Sequence, residues 1–394
     1  MADEIAMIVQ SLGFNALGLS DTAVITLVIL AFVIIGAIIV VVTSRPILDI
    51  YPYLHPSARA RARKGRLLNE KQISEIVESN NVEEVTNYLR GLPDYVEYVD
   101  NYSLDKALDI QLGETYDMVS RMVPKQVKSS FAVLAKKSDI NNIKSLFAAK
   151  DAGLDKEATE ELLIPTGALY DDLVRLSDAD SVTDVVAGLD GTEYAPVLEE
   201  ALTEYEKSEM VLPLETALDT YYLDKLMSAS ETPADENTQV LYAYIGNQVD
   251  VANIKLILRA KVDGLDYAAI SPYVGNSGYQ LREWKLKDLM ESESVEGVVS
   301  SLEGTKFAPV LAEVLPQYNE TGSVALFEKA LDKFLVESAK SYSMRKPLGV
   351  GPIIGYLSQK EVEVRNLKII ARAKREEDFP VAKIREMLVW VMSL

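Results

Sequence analysis

The chain has no cysteine and a single histidine, His55. Disulfides and thiolate chemistry are thereby excluded, and so is a metal site built from several histidines. Most acid/base arrangements that turn on imidazole go with them, which leaves Asp and Glu as the remaining candidate catalysts. No G-x-x-x-x-G-K-[ST] sequence occurs, so ATP phosphates are not held by that device. In PLGVGPIIGYL (347–357), Gly349, Gly351 and Gly355 are spaced one residue too wide for the dinucleotide fingerprint, and they follow a helical stretch. The segment reads as the Pro/Gly-punctuated start of a helix, and neither a cofactor nor a directly bound nucleotide is expected. Lys and Arg are missing from the first 44 positions, whose only charges are the acids Asp3, Glu4 and Asp21.

What is present is a chain of 394 residues, 48% hydrophobic and 25% charged, which suits a folded protein of two or three domains. A net charge of −20 repels phosphate backbones, so nucleic acid is not an expected partner. Solubility is the plain consequence of such a surface.

Residues 22–43 read TAVITLVILAFVIIGAIIVVVT, without a charge. A helix of that length reaches about 33 Å, close to the hydrocarbon thickness of a bilayer. With no polar face it cannot lie along a membrane surface. A cleaved signal peptide would bring a basic leader and a shorter apolar core, and this segment has neither. Beyond it come Arg45, Arg59, Arg61, Arg63, Lys64 and Arg66, while nothing positive precedes it. The excess of positive charge predicts a single-pass protein of the cell membrane with residues 45–394 on the cytoplasmic side. The basic cluster can touch lipid headgroups as well. The sequons at Asn101 and Asn319 then face away from the glycosylating compartment.

The remainder repeats itself. DINNIKSLFAAK (139–150), DVANIKLILRAK (250–261) and EVRNLKIIARAK (363–374) align on Asn142, Asn253 and Asn366, which lie 111 and 113 residues apart. SVTDVVAGLDGTEYAPVLEEAL (181–202) matches SVEGVVSSLEGTKFAPVLAEVL (294–315) at the same offset, and NVEEVTNYLRGLPDYVEYV (81–99) is a weaker first copy. Three copies of one unit are expected, with an N-terminal segment at 1–44 and repeats at 45–155, 156–266 and 267–394. Apolar residues recur with helical period, as at Val251, Ile254, Ile257 and Leu258, at Ile140, Ile143, Leu146 and Phe147, and at Val364, Leu367, Ile370 and Ala371. The fold class is therefore all-α. Gly191 and Gly304 are placed to stop a helix, and Thr192 and Thr305 are candidate N-caps for the next one.

Few residues invite chemistry. Glu361 and Glu363 form a possible carboxylate pair, with Asp139 and Asp250 in the place of Glu363; the expected role is to complement a helix dipole from its first turn. Asn142, Asn253 and Asn366, each followed two residues on by Lys144, Lys255 or Lys368, are candidate structural positions, the asparagines suited to interhelical hydrogen bonds.

Two segments carry a family resemblance. YPYLHPSARARARKGRLL (51–68) resembles the opening of the C-subunit family of archaeal-type (A/V-type) ATP synthases, relatives of the d subunit of vacuolar ATPases. GPIIGYLSQKEVEVRNLKIIARAK (351–374) is similar to that family's C-terminal signature, and the threefold helical layout is similar too. The resemblance implies a funnel of three pseudo-symmetric helical bundles that performs no catalysis itself. Such a funnel rests on the membrane rotor ring, receives the D and F subunits of the central shaft, and passes torque between ion flow and the catalytic head. The apolar span departs from the family pattern, whose typical members begin near the Y-x-Y motif. A rotating subunit can cross the bilayer only on the rotation axis, so residues 22–43 are expected to run through the ring lumen. Two other readings are a membrane-tethered scaffold of helical repeats for a different partner and a carboxylate hydrolase using Glu361 and Glu363.

Overall fold

The computed structural model describes residues 21–275, 278–376 and 378–390. The chain divides between Pro52 and Tyr53 into two units. In the first, helix α1 (Asp21–Ile50) is the one helix among the described residues long and apolar enough to cross a membrane. It includes the expected segment and continues to Ile50. Its large apolar side chains are bare, Phe32 being 73% exposed.

The second unit is helical throughout its described residues. In order it holds α2 (Leu54–Lys64), α3 (Glu70–Val77), α4 (Val82–Arg90), α5 (Val96–Val99), α6 (Leu104–Met122), α7 (Lys128–Ala135) and α8 (Lys137–Asp151). There follow α9 (Lys156–Leu162), α10 (Tyr170–Leu176), α11 (Val182–Gly188), α12 (Ala195–Ser208), α13 (Leu212–Ser230) and α14 (Glu236–Val262). The last are α15 (Tyr267–Ile270), α16 (Glu283–Glu291), α17 (Val295–Ser301), α18 (Phe307–Thr321), α19 (Ala325–Arg345), α20 (Gly351–Ala373) and α21 (Val381–Met387).

Matching starts explain why the short helices recur. Asn81, Ser181 and Ser294 cap α4, α11 and α17, each side-chain oxygen accepting the backbone N–H three residues on. Gly191 and Gly304 take φ of +78° and +83° at the turns that follow α11 and α17. The expected caps at Thr192 and Thr305 are not there. Tyr194 and Lys306 hold the N-cap positions of α12 and α18 without a side-chain bond. Each threonine hydroxyl instead donates to the carbonyl three residues back and accepts the N–H two residues on, so it closes the turn itself.

Four large clusters form the core. In one, Ile140, Ile143, Leu146 and Phe147 of α8 pack on Leu173, Val185, Leu198 and Leu218. In a second, Val251, Ile254, Ile257 and Leu258 of α14 pack on Leu289, Val298, Phe307 and Leu331. In a third, Val364, Leu367, Ile370 and Ala371 of α20 pack on Ile76, Val85, Leu89 and Leu108, from the other end of the unit. The fourth lies between, joining Ala60, Val119, Phe131, Leu226, Tyr244 and Ile353. The stripes read from the sequence are thus the buried faces of α8, α14 and α20.

Candidate functional site

Each of those three helices bears one of the repeated asparagines, and each asparagine is buried. Asn142 donates to the carbonyl of Ile164 (2.9 Å) and accepts from the N–H of the same residue (2.9 Å). Asn253 grips Gly275 in the same way (3.5 and 3.0 Å), and Asn366 grips Val389 (2.9 and 3.0 Å). The gripped residue lies 22 or 23 positions downstream, so one side chain satisfies both backbone groups of a loop that has left its helix.

Three residues before each asparagine stands a buried carboxylate. Asp139 accepts from Leu169 N (2.9 Å), and Asp250 from the N–H groups of Tyr279, Gln280 and Leu281 (2.7–3.2 Å). Glu363 accepts from Leu68 N (2.5 Å), 295 residues away. The dipole reading of these acids fits Asp139 alone, which lies in the first turn of α8. Asp250 is mid-helix in α14, and Glu361 and Glu363 are mid-helix in α20. The reason is that α20 begins at Gly351, a full ten residues before the acids. Burial pushes the Asp250 carboxyl up to about 6, even with its backbone donors.

Two residues after each asparagine, the lysine reaches across to a neighbouring helix. Lys144 pairs with Asp219 of α13 (2.5 Å), Lys255 with Asp332 of α19 (2.6 Å), and Lys368 with Asp109 of α6. Arg365 joins Lys255 on Asp332. The three aspartates end the tripeptide Ala-Leu-Asp at 107–109, 217–219 and 330–332, whose leucines are all fully buried. That recurrence is present in the sequence and is the signal that finds the missing partners.

The joint at Glu363 has one further part. Lys360 and Glu363 form an ion pair (2.7 Å) with side chains 1% and 4% exposed. The Lys360 ammonium also donates to the Tyr95 hydroxyl (2.7 Å) and lies over its ring, and that hydroxyl donates to Glu363 (2.5 Å). Sequence reasoning missed Lys360 and Tyr95, which stand 265 residues apart.

Chemistry finds little purchase here. Glu361 is bonded to Tyr116, and Glu363 is locked in its network, so the two carboxylates do not work on a common point. Burial raises the Glu361 carboxyl to about 7, opposed by Arg365. No group of three or more His, Cys, Asp or Glu side chains able to hold a metal ion exists among the described residues. The glycines at 349–355 serve packing. A Cβ on Gly349 would strike Asn237, and one on Gly351 would strike the Tyr342 carbonyl. Each joint ties one helix by a loop clasp, a carboxylate and a salt bridge.

Residues 56–387 match the family described as ATP synthase (C/AC39) subunit. The chain is 62% identical over 389 residues to the C subunit of the A-type ATP synthase of Methanobrevibacter smithii, covering 99% of this chain and 100% of that one. It is 54% identical over 388 residues to the C subunit of the A-type ATP synthase of Methanothermobacter thermautotrophicus (98% and 100%). To the protein of the same name in Pyrococcus horikoshii it is 29% identical over 344 residues, 86% of this chain and 90% of that one. The first two matches leave only a few residues unaligned, so they run through the apolar N-terminal helix. The expectation that this segment sets the chain apart from its relatives does not hold for those two.

Proposed function

Since the chain belongs to the ATP synthase (C/AC39) subunit family, we propose that it is the non-catalytic rotor socket of a rotary A-type ATP synthase. On this reading it seats the D and F subunits of the central shaft on the membrane rotor ring and carries torque between them. The single observation that supports it best is the closed circuit of salt bridges. Lys144 ties α8 to α13, Lys255 ties α14 to α19, and Lys368 ties α20 back to α6 near the start of the unit. Three like joints that return to their origin suit a part turning about an axis, each one linking a proposed repeat (45–155, 156–266 or 267–394) to another. A coupling that must not slip needs two extensive interfaces and a stiff body between them.

Helix α1 then runs along the rotation axis through the ring lumen, since a span anywhere else would meet the stator at each turn. The basic residues that follow it favour a cytoplasmic location for the second unit. The test is a mass-spectrometric inventory of the detergent-solubilised complex, combined with cysteines placed at Ile29 and Phe32. Ring, shaft and catalytic-head proteins should accompany the chain, and both cysteines should cross-link to the ring. Isolation with an unrelated set of proteins would favour a tethered scaffold, and cross-links to the static ion channel would remove the axial placement.

A further inference from the structure

The three joints can be compared position by position. Six residues before Asn142, Asn253 and Asn366 stand Lys136, Asn247 and Lys360. The loop that ends α11 brings Tyr194 to the first joint, the loop that ends α17 brings Phe307 to the second, and the loop that ends α4 brings Tyr95 to the third. All three rings are buried.

Two of the joints are settled. At the third, the Lys360 ammonium bridges the Tyr95 hydroxyl and Glu363. At the second, Phe307 has no hydroxyl to satisfy. Gln280 fills the space there, donating to Asn247 (3.0 Å) and accepting from Lys306 N (2.9 Å).

The first joint has neither solution. Lys136 is turned outward onto Glu193, which also accepts from Tyr221 (2.7 Å). The Tyr194 hydroxyl, on a side chain 1% exposed, has no hydrogen-bond partner among the described residues. Asp139 is one methylene shorter than Glu363 and is held back by Leu169 N, so it does not reach that hydroxyl. A cavity of about 520 Å³ lies at this place, lined by Tyr194, Asp139, Asp117, Asp172 and Asp190 and by the paired Lys136 and Glu193. Burial raises the carboxyls of both Asp117 and Asp139, opposed by Arg121 at the first and by the Leu169 and Ala168 N–H groups at the second.

We propose that this cavity binds one alkylammonium group, in the place that the Lys360 ammonium occupies at the third joint. Its N–H donors satisfy the Tyr194 hydroxyl and the Asp139 carboxylate, with Asp117 as a further acceptor. An anion is disfavoured, because five carboxylates line the cavity and its one ammonium, Lys136, is already paired with Glu193. A metal ion is disfavoured because no three ligating side chains converge among the described residues. An ammonium needs only separate acceptors, and an alkyl stem suits the Ala132, Ala135 and Ala168 that share the lining. The group is either a lysine side chain of a neighbouring protein in the assembly or a free amine.

The full chain, labelled with ¹³C at tyrosine Cζ, is titrated with n-butylammonium chloride, and in parallel with KCl and with n-butanol. The Tyr194 signal, identified by its loss in Tyr194→Phe, should shift saturably with butylammonium alone. Asp117→Asn, at a partly exposed position, should weaken that binding by about tenfold, the equivalent of 1.4 kcal/mol. A shift that KCl reproduces (an adventitious ion only), a drift without saturation, or indifference to Asp117→Asn overturns the proposal. In the assembled complex, carbodiimide coupling of Asp117 or Asp139 to a neighbour's lysine assigns the site to a partner side chain. Retained butylammonium binding without such coupling assigns it to a free amine. A site in the complex that neither couples nor binds butylammonium overturns the proposal as well.

Discussion

The joints at Asn253 and Asn366 share an asparagine clasp and differ in how far the chain must travel to complete them. At Asn253 the described partners of the clasp and of Asp250 lie within 31 residues downstream. Backbone N–H groups suffice there, because the loop is delivered by its own helix. At Asn366 the clasp is local, yet the carboxylate and the core are completed by residues 68–108. A buried ammonium–carboxylate pair appears only at this second kind of joint. Burying two charges costs several kcal/mol per ion and adds little net stability. Its value is choice of partner, since only Tyr95 and Leu68 in one register satisfy Lys360 and Glu363 together. Where connectivity does not dictate the neighbour, polar specificity does.

The harshest way to break the contrast is to place a charge under each joint. Ile254→Asp and Leu367→Asp each bury an unpaired carboxylate at a fully enclosed site, at a cost of more than about 4 kcal/mol. Limited proteolysis should cut Ile254→Asp between residues 265 and 335, and Leu367→Asp near both chain ends. Equal cutting patterns would mean that the joints do not fail separately.

Lys360→Met isolates the long-range device. It leaves Glu363 buried without its ammonium, and a loss of about 3–5 kcal/mol should appear in urea unfolding. Lys360→Met combined with Glu363→Gln should recover most of that loss. Failure of the double variant to recover would show that the pair contributes stability as well as register.

The pH dependence sharpens the other side. Asp250 has a folded-state pKa of about 6, above the ordinary carboxylate value. Between pH 4 and 6 the native state therefore binds more protons than the unfolded one, and stability falls as pH rises through that window. The fall is at most about 3 kcal/mol, complete just above pH 6. Urea midpoints at pH 4.5, 5.5 and 7 should show it, and Asp250→Asn should flatten it.

The smallest effects belong to the salt bridges. Lys255→Gln should cost about 1 kcal/mol, because Lys255 and Asp332 are 21% and 12% exposed. Lys144→Gln should cost about half of that or less, as Asp219 is 59% exposed, and added salt should erase the difference. Double-mutant cycles with the aspartates measure both.

The helices and their buried faces are legible in the sequence because period and repetition are local signals. Asn142, Asn253 and Asn366 stand out for the same reason, and Asp109, Asp219 and Asp332 can be found by the same comparison. The acids mislead because α20 starts a full ten residues before them, whereas alignment with the shorter α8 sets the helix start just ahead of them. The closing of α20 onto residues 68–108 is not legible at all. A repeat says which segments are alike, and it is silent on which segment is whose neighbour. Lys360 and Tyr95 lie 265 positions apart, and the repeat that aligns them with Lys136 and Tyr194 does not say that they meet.

That closure sets a timetable for biosynthesis. Residues 73–108 leave the ribosome early with the apolar faces of Ile76, Val85 and Leu89, and the surface that covers them, Val364 to Ile384, is made almost last. At ordinary translation speeds the interval is on the order of tens of seconds, long compared with hydrophobic collapse. During that time the nascent chain carries an uncovered sticky segment a short way along the sequence from its apolar N-terminal helix. Residues 73–108 are therefore the part most in need of a chaperone while the molecule is being made.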